Sequence, residues 1–167
     1  MDYWPNIDAV IWFAQDMLPA LRKTWPTLCF YIVGRSPPPS VLALAGDAVV
    51  VTGTVDDVRP YLQHAAIVVA PLRVARGIQN KILEAMAMGR PVVAALSCVQ
   101  AMDARDGDEL ISAETAEDFL REISALLHDA QRAGAIGQAG RTRVLQSYSW
   151  DAHLSKIDRY LNPTVGA

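Results

Sequence analysis

A loop with three cations and one glycine is the first part of the sequence that suggests chemistry. The segment "LRVARGIQNK", residues 72–81, carries Arg73, Arg76 and Lys81 around Gly77. It follows a predicted strand and leads into a predicted helix, whose first N–H groups and positive dipole end favour an anion such as a diphosphate. Glycine lets the backbone approach a ligand closely. Neither a GxxxxGK[ST] loop nor a GxGxxG fingerprint is present, so spacing alone leaves open a phosphate-binding loop and an ordinary surface loop.

The helix predicted after this loop, from Ile78 to Met88, contains a single carboxylate, Glu84. Apolar side chains occupy most of its circumference, so we predict that it is buried on nearly all sides. A buried, ionised carboxylate is costly unless it accepts hydrogen bonds. Lys81 and Asn80 share its face and favour a local pair at a solvated edge. A carboxylate that faces a ligand crevice would instead accept bonds from hydroxyls such as those of a ribose, and the residues alone leave both interpretations open.

Other reactive side chains are scattered along the chain. His64, His128 and His153 are isolated, and no Ser-His-Asp or Cys-His arrangement indicates a hydrolase. The acid-rich segment Asp103–Glu109 does not match the ligand spacing of a calcium loop, so we predict a solvated loop there. No cysteine or histidine spacing indicates a metal site.

The composition predicts one globular domain. The 167 residues are 51% apolar and 20% charged, which suits a sizeable core. The net charge of −3 argues against a nucleic-acid-binding protein, because such proteins need a basic excess. No apolar run approaches the roughly 20 residues of a membrane span, and the acidic, aromatic start is unlike a signal peptide. Cys29 and Cys98 lie in apolar runs and are predicted to be reduced, buried thiols of a cytoplasmic protein.

Helices alternate with short apolar runs along most of the chain. Asn6 is predicted to cap the first helix and Pro19 to kink or divide it. Gly89 and Pro91 are predicted to end the helix that carries the lone carboxylate, and Thr115 to cap a later helix with acidic residues in its first turn. The predicted helices cover residues 6–25, a short part of 35–46, 56–65, 77–89, 115–130, 133–148 and 149–161, and the predicted strands cover 28–34, 48–53, 66–72, 91–96 and 109–113.

Four short, continuously apolar strands separated by helices predict a parallel sheet with helices on both faces. We therefore expect an α/β, Rossmann-like doubly wound domain with a helical C-terminal tail. Ligands of such sheets bind beyond the carboxyl ends of the strands, which selects the loops after Val33, Thr52, Leu72 and Ala95. The first predicted element is a helix, whereas such a domain opens with a strand, so we expect that the first strand is absent.

Several segments form a recognisable set: "IVG" at the end of an early strand, then "GTVDD", "AIVVAPL", "KILEAMAMG", "RPVV" and "YSWDAHLSKIDRYL". Together they resemble the donor-binding domain of glycosyltransferase family 4 sugar transferases, which is the C-terminal half of a GT-B fold. The segment "ARGIQNKILEAMAMGRPVV" is most similar to the branch associated with bacterial exopolysaccharide and exosortase systems. The resemblance covers nearly the whole chain.

The resemblance implies roles in nucleotide-sugar binding, residue by residue. Glu84 falls on the family carboxylate that contacts the nucleotide ribose. Arg76 replaces the carboxylate that contacts the transferred sugar, and an arginine cannot accept hydrogen bonds from sugar hydroxyls, so it would bind a diphosphate or an acidic sugar. Val55 falls on the nucleobase contact, with Asp57 close by. The remaining implied contacts are Gly77, Ile78, Gln79, Asn80 and Lys81, for the diphosphate and sugar, and Gly34 and Arg35, which border the nucleotide.

One pair of family residues is missing. In the family an arginine and a lysine follow the first strand and hold the diphosphate, whereas this chain has no basic residue before Arg22. We expect Arg73, Arg76 or Lys81 to take their place.

The resemblance implies that residues 1–167 are the donor-binding domain of a retaining glycosyltransferase. The parent enzyme would transfer a sugar from a nucleoside-diphosphate sugar to a glycan or lipid-linked acceptor, in the cytoplasm, without an obligatory metal or another cofactor and in peripheral contact with a membrane. The family's N-terminal acceptor-binding domain is absent from this sequence, so we expect the isolated chain to be inactive. An uncovered face and a missing strand favour a homodimer.

Two alternatives remain open. The first is a non-catalytic nucleotide-binding or interaction module from a truncated gene product, which the arginine at position 76 and the absent half favour. The second is half of a GT-B sugar epimerase, for which the sequence offers no convincing set of catalytic carboxylates and a histidine.

Overall fold

The computed structural model describes residues 3–149. Helices alternate with short strands, as the sequence predicts. The helices are α1 Trp4–Trp12, α2 Leu18–Thr24, α3 Pro39–Leu42, α4 Arg59–His64, α5 Asn80–Ala87, α6 Leu96–Val99, α7 Ala116–His128 and α8 Ala130–Ser147, with a π-helical turn at Phe13–Met17. The strands are β1 Phe30–Val33, β2 Val49–Gly53, β3 Val68–Ala70, β4 Val92–Ala95 and β5 Ile111–Ala113.

The strands form two separate parallel ladders. β1 pairs with β2, with Phe30 opposite Val49. β4 pairs with β3 on one side and with β5 on the other, so that Val93 lies opposite both Val69 and Ile111. The prediction of an α/β, Rossmann-like domain with parallel strands and a helical C-terminal tail is confirmed. No ladder bonds join β1–β2 to β3–β4–β5 within the described part of the chain, so the parallel strands form two sheets.

Pro19 divides the first helical region, as predicted. α1 is followed by the π-helical turn Phe13–Met17, and α2 begins at Leu18. Proline has no N–H to donate to the carbonyl four residues earlier, and its ring crowds that carbonyl, so the helical ladder is interrupted just before it.

The prediction that Asn6 caps the first helix is wrong. α1 begins at Trp4, with Tyr3 as the N-cap residue and Pro5 in the first turn. Proline is well suited to a first turn, because the N–H that it lacks would have no partner there. The side chain of Asn6 is instead used in a tertiary contact, since its Oδ1 accepts a hydrogen bond from Nζ of Lys81.

β4 is the most deeply buried strand. Val92, Val93 and Ala94 have no exposed surface, because β4 has a partner strand on both sides and helices above and below. β1 differs, since Tyr31 is 53% exposed while Ile32 is buried. β3 is intermediate, and only Ala70 of its three residues is buried.

α8 packs closely against the end of α5. The N–H of Gly89 donates to the carbonyl of Met86 and the N–H of Arg90 to that of Ala85, a Schellman motif in which Gly89 takes a φ of +68°. This confirms the prediction that Gly89 ends the helix. A Cβ at Gly137 of α8 would come within 2.9 Å of the carbonyl carbon of Gly89 and closer still to its oxygen. The missing side chain at Gly137 therefore lets α8 contact this turn and fixes the position of α5.

Thr115 caps α7, as predicted. Its Oγ1 accepts the N–H of Asp118, while the Asp118 carboxylate accepts from the N–H and hydroxyl of Thr115. These bonds, with one from Arg121, lower the pKa of Asp118 to about 2. The predicted fifth strand is also confirmed, as β5.

Two sequence predictions fall outside residues 3–149. The helix predicted over residues 149–161 lies beyond them except for its first residue, and so does His153. Within the described residues, no helix is both long enough and apolar enough to cross a membrane.

Candidate functional site

An open cleft between α4 and α5 brings together two of the residues singled out by the sequence. Glu84 of α5 and Asp57, which precedes α4, both line it. Its volume is 440 Å³, within the range of about 300–1,000 Å³ that is usual for small-molecule sites. The remaining lining residues are Asp56, Val58, Arg59, Leu62, Ala87 and Met88.

Glu84 is exposed in this cleft. α5 buries Ile82, Ala85 and Met86, a stripe on one side, so the prediction that the helix is buried on nearly all sides is wrong. The predicted local pair with Lys81 is not formed, and within residues 3–149 the Glu84 carboxylate has no hydrogen bond or ion pair. Its oxygens are therefore available to accept bonds from a ligand in the cleft.

Asp57 is held in place by the residue that opens α4. Its carboxylate accepts bonds from the backbone N–H of Arg59 at 2.9 Å and from Nε of the same residue at 2.9 and 3.0 Å. The bonds from Arg59 lower the pKa of Asp57. Asp56 and Asp57, the first residues of the helix predicted over 56–65, thus lie just before α4, and Asp57 acts as an acceptor for its first turn. Asp56, next to it, also lines the cleft and is exposed.

The glycine-led loop lies between β3 and α5. Gly77 takes a φ of +64°, a conformation that favours glycine. The amide of Gln79 donates to the carbonyls of Arg76 and Gly77 at 3.1 and 3.3 Å, which folds the loop onto itself. α5 begins at Asn80, so Gln79 is its N-cap residue and Ile78, 48% exposed, lies outside the helix.

Two of the three cations near this loop are bound by α1. Arg73 donates from Nε to Oδ2 of Asp8 at 2.9 Å and from Nη2 to Oδ1, and its guanidinium carbon lies 5.1 Å from the ring centre of Trp12. Lys81 donates to Asn6, and removal of water from its ammonium group lowers its pKa. The sequence missed both contacts because the partners are 65 and 75 residues apart.

Arg76 is exposed, as are the other two cations of the loop, Arg73 and Lys81. Its side chain forms no hydrogen bond or ion pair within the described residues. A free guanidinium beside the first turn of α5 can bind an anion through two parallel hydrogen bonds. The structure therefore leaves Arg76 as the cation that can meet a ligand without first breaking a contact with α1.

The other predicted contacts follow strands but do not line the cleft. Gly34 and Arg35 come directly after β1, and Val55 comes two residues after β2. The carboxyl ends of parallel strands meet at one edge of a sheet. These residues are therefore at the predicted edge, while Glu84 and Asp57 are the pair that a single cleft unites.

A buried carboxylate was missed by sequence reasoning. Glu109 belongs to the segment predicted to be a solvated loop, yet only 4% of it is exposed. Its carboxylate accepts hydrogen bonds from the backbone N–H of Arg105 at 2.7 Å and from Nε of Arg143 at 3.0 Å. Burial raises the pKa of Glu109, but the bonds from Arg143 and Arg105 outweigh it and the net pKa is lowered. The pattern Arg105–Glu109, four residues apart, was the available local signal.

The cysteine and histidine side chains described here occupy packing positions. Cys29 and Cys98 are both free; Cys98 is buried, as predicted, whereas the prediction that Cys29 is buried is wrong, because it is partly exposed. The ring of His128 packs against that of Trp25, with 4.9 Å between the ring centroids. Among residues 3–149, no group of three or more histidine, cysteine, aspartate or glutamate side chains is placed to hold a metal ion.

The chain is similar to a known protein family and to several solved structures. The model of a family described as "Glycosyl transferases group 1" matches residues 1–129 of the chain. HepE from Anabaena, solved in complex with UDP, is 18% identical; the alignment covers 91% of this chain and 46% of HepE with a TM-score of 0.75. HepE has also been solved with UDP and glucose and with UDP-glucose.

Two further structures align over a similar range. A glycosyltransferase from Rickettsia africae is 18% identical over 90% of this chain and 44% of its own, with a TM-score of 0.72. Sucrose-phosphate synthase from Thermosynechococcus elongatus is 22% identical over 87% of this chain and 41% of its own, with a TM-score of 0.69. The chain thus spans less than half the length of each of these structures. A search of curated proteins found no match.

Proposed function

The chain belongs to the Glycosyl transferases group 1 family, and from this premise we propose that it binds the nucleoside-diphosphate sugar donor of a glycosyltransferase. The observation that carries the proposal is the cleft that unites Glu84 and Asp57. The HepE structures were solved with UDP or UDP-glucose, which makes a uridine nucleotide the first ligand to test.

Glu84 is suited to a ribose because both of its oxygens are unengaged within residues 3–149. A carboxylate can accept one hydrogen bond from each hydroxyl of a vicinal diol, and bonds to a charged acceptor contribute about 1.5–3 kcal/mol. The apolar side chains of Val58, Leu62, Ala87 and Met88 form part of the wall, beside the charged side chains of Asp56 and Arg59. We assign the base to this wall, near Val55 and Asp57, with Gly34 and Arg35 at its border.

The anionic part of the donor would lie at the start of α5. In this proposal the backbone N–H groups of the Gly77–Lys81 segment, including those of Ile78, Gln79 and Asn80, would bind phosphate or sugar oxygens. Arg76 would neutralise part of the diphosphate charge, since Arg73 and Lys81 are occupied by α1.

The finer assignments extend the same proposal to the parent enzyme. We propose a retaining transferase of family 4, in the exopolysaccharide-associated branch, whose acceptor is a glycan or a lipid-linked sugar. It would act in the cytoplasm, in peripheral contact with a membrane. An acceptor-binding half would close the catalytic cleft, so we expect residues 1–167 alone to bind donor without transferring the sugar.

Melting temperatures measured with UDP, GDP, ADP and their glucose conjugates test donor binding. A ligand at 100 times its dissociation constant stabilises the folded chain by about 2.7 kcal/mol, which corresponds to roughly 5–10 °C for a domain of this size. We expect one base to raise the melting temperature of the wild type. Glu84→Ala should lower the affinity for that nucleotide by about 10-fold or more, because a charge-assisted hydrogen bond is lost.

Glu117→Ala is the matched control, since Glu117 is an exposed glutamate on α7 that does not line the cleft. It should keep the full response to the nucleotide. An equal response of Glu84→Ala and wild type would contradict the assignment of the ribose. If no nucleotide shifts the folded wild type, donor binding by this chain is refuted and a non-catalytic interaction module becomes the leading interpretation.

A further inference from the structure

The cleft between α4 and α5 contains a second carboxylate without a partner. Asp56 lines it together with Glu84. It is exposed and forms no hydrogen bond or ion pair within residues 3–149. Asp57, its neighbour, is already engaged by Arg59. Because the proposed function uses Glu84 for the ribose, Asp56 is a further acceptor in the cleft that is free to bind another part of the ligand.

Arg59 supplies hydrogen-bond donors in the same cleft. It lines the cleft and is bound to Asp57 through its backbone N–H and its Nε. Its two Nη groups form no hydrogen bond within the described residues. The bonds through Nε therefore restrain the guanidinium and leave its Nη groups free to donate to a ligand.

The apolar part of the wall suits the flat faces of a nucleobase. Val58, Leu62 and Met88 line the cleft, and a base can bury its ring faces against such side chains. A base packed in this way has its polar edge left for the polar residues of the cleft. Apart from the carboxylate assigned to the ribose, these residues offer a free acceptor at Asp56 and free donors at Arg59.

The common nucleobases differ in the order of donors and acceptors along that edge. Guanine carries two adjacent donors, N1–H and the 2-amino group, followed by the O6 acceptor. A carboxylate can accept both donors through two parallel hydrogen bonds, and arginine is a frequent donor to guanine O6. Guanine is therefore complementary to a carboxylate and a guanidinium in one cleft.

The other bases place an acceptor against the carboxylate. Uracil has a single N3–H donor between two carbonyl oxygens, and cytosine and adenine each have a ring-nitrogen acceptor beside their amino group. An acceptor that faces a carboxylate loses its bond to water without gaining a donor, and this lowers affinity. Asp56 thus disfavours these bases as well as favouring guanine.

We propose that the donor bound in this cleft is a GDP-sugar and that Asp56 selects its base. Asp56 accepts N1–H and the 2-amino group of guanine, an Nη group of Arg59 donates to O6, and the ribose lies at Glu84. This inference rests on the proposed function and narrows it to one base. It differs from HepE, which was solved with UDP and is 18% identical, because proteins that share a fold at such distance do not thereby share a ligand.

The test compares the binding of GDP, UDP, ADP and xanthosine diphosphate to the chain by calorimetry. We expect the wild type to bind GDP about tenfold or more tightly than UDP or ADP, because two charge-assisted hydrogen bonds distinguish them. Asp56→Asn should lose about tenfold or more in GDP affinity for the same reason. It should also prefer xanthosine diphosphate to GDP. Xanthine has a carbonyl in place of the 2-amino group, and a carboxamide can donate to that carbonyl while it accepts N1–H.

Asp47→Asn is the matched control, since Asp47 is an exposed aspartate that does not line the cleft. Its affinities should equal those of the wild type. A wild-type preference for UDP or ADP would overturn the inference, and so would a ratio of GDP to xanthosine diphosphate affinity that Asp56→Asn leaves unchanged.

Glu84→Ala separates this inference from the proposed function, because loss of a ribose contact should weaken every nucleotide alike. If Glu84→Ala weakens the nucleotide that binds while Asp56→Asn leaves the choice of base unchanged, donor binding stands and the assignment of guanine is refuted. If no nucleotide binds to the folded wild type, both are refuted.

Discussion

Gly137→Ala should destabilise the fold because the new methyl group has no room. The ideal Cβ would lie 2.9 Å from the carbonyl carbon of Gly89 and 3.1 Å from N of Pro91, and these are backbone atoms that cannot rotate away. Overpacking of this kind costs about 1–3 kcal/mol, and a backbone obstacle places this site at the upper end. Alanine recovers about 1 kcal/mol through its better helix propensity. The expected net loss of unfolding free energy is about 2 kcal/mol.

Gly134→Ala is the matched control on the same helix. Gly134 has no heavy atom within 4 Å of its ideal Cβ, so only the propensity term remains and the variant should be stabilised by up to about 1 kcal/mol. Urea denaturation at constant m-value measures both changes. Opposite signs are expected. If Gly137→Ala proved as stable as Gly134→Ala, the close contact between α8 and the turn after α5 would be refuted.

Three further predictions concern the polar contacts. Thr115→Ala should lose about 1 kcal/mol of stability in urea, the value of an N-cap, and NMR titration should show the pKa of Asp118 rising from about 2 as the hydroxyl bond is lost; an unchanged pKa would contradict the capping box. Glu109→Ala should cost about 2 kcal/mol, because its buried carboxylate pairs with Arg143 and Arg105, and a loss no larger than that of an exposed glutamate would refute this. Because the pKa of Glu109 is lowered from 4.5, its contribution is complete above that value and is lost as the pH falls through the lowered pKa. Glu109→Gln should therefore flatten the acid limb of the stability profile, and a profile identical to wild type would exclude Glu109 from it.

Signals that lie within a few residues of one another were predicted well. Thr115 and Asp118 form the expected cap, and Gly89 ends α5. Such features depend on backbone groups of one turn, so the sequence contains both partners side by side. The parallel strands were also predictable, because short apolar runs between helices suit a sheet covered on both faces.

Features that depend on distant partners were not predictable. The exposure of Glu84 depends on where α5 meets the rest of the fold, and a helix of many apolar residues can still bury only one stripe. The contacts of Arg73 and Lys81 depend on α1. Periodicity describes one element at a time, so it predicts the helices and strands that carry the site. Which cations are paired and which are free depends on contacts between distant elements, and periodicity does not predict those contacts.

The break between the ladders also divides the cooperativity of unfolding. Backbone hydrogen bonds couple β1 to β2 and couple β3, β4 and β5 to one another, whereas no ladder bonds join the two groups within residues 3–149. We therefore expect two sub-global opening units, with β1–β2 opening at the lower free energy because it has fewer ladder bonds and one exposed face at Tyr31.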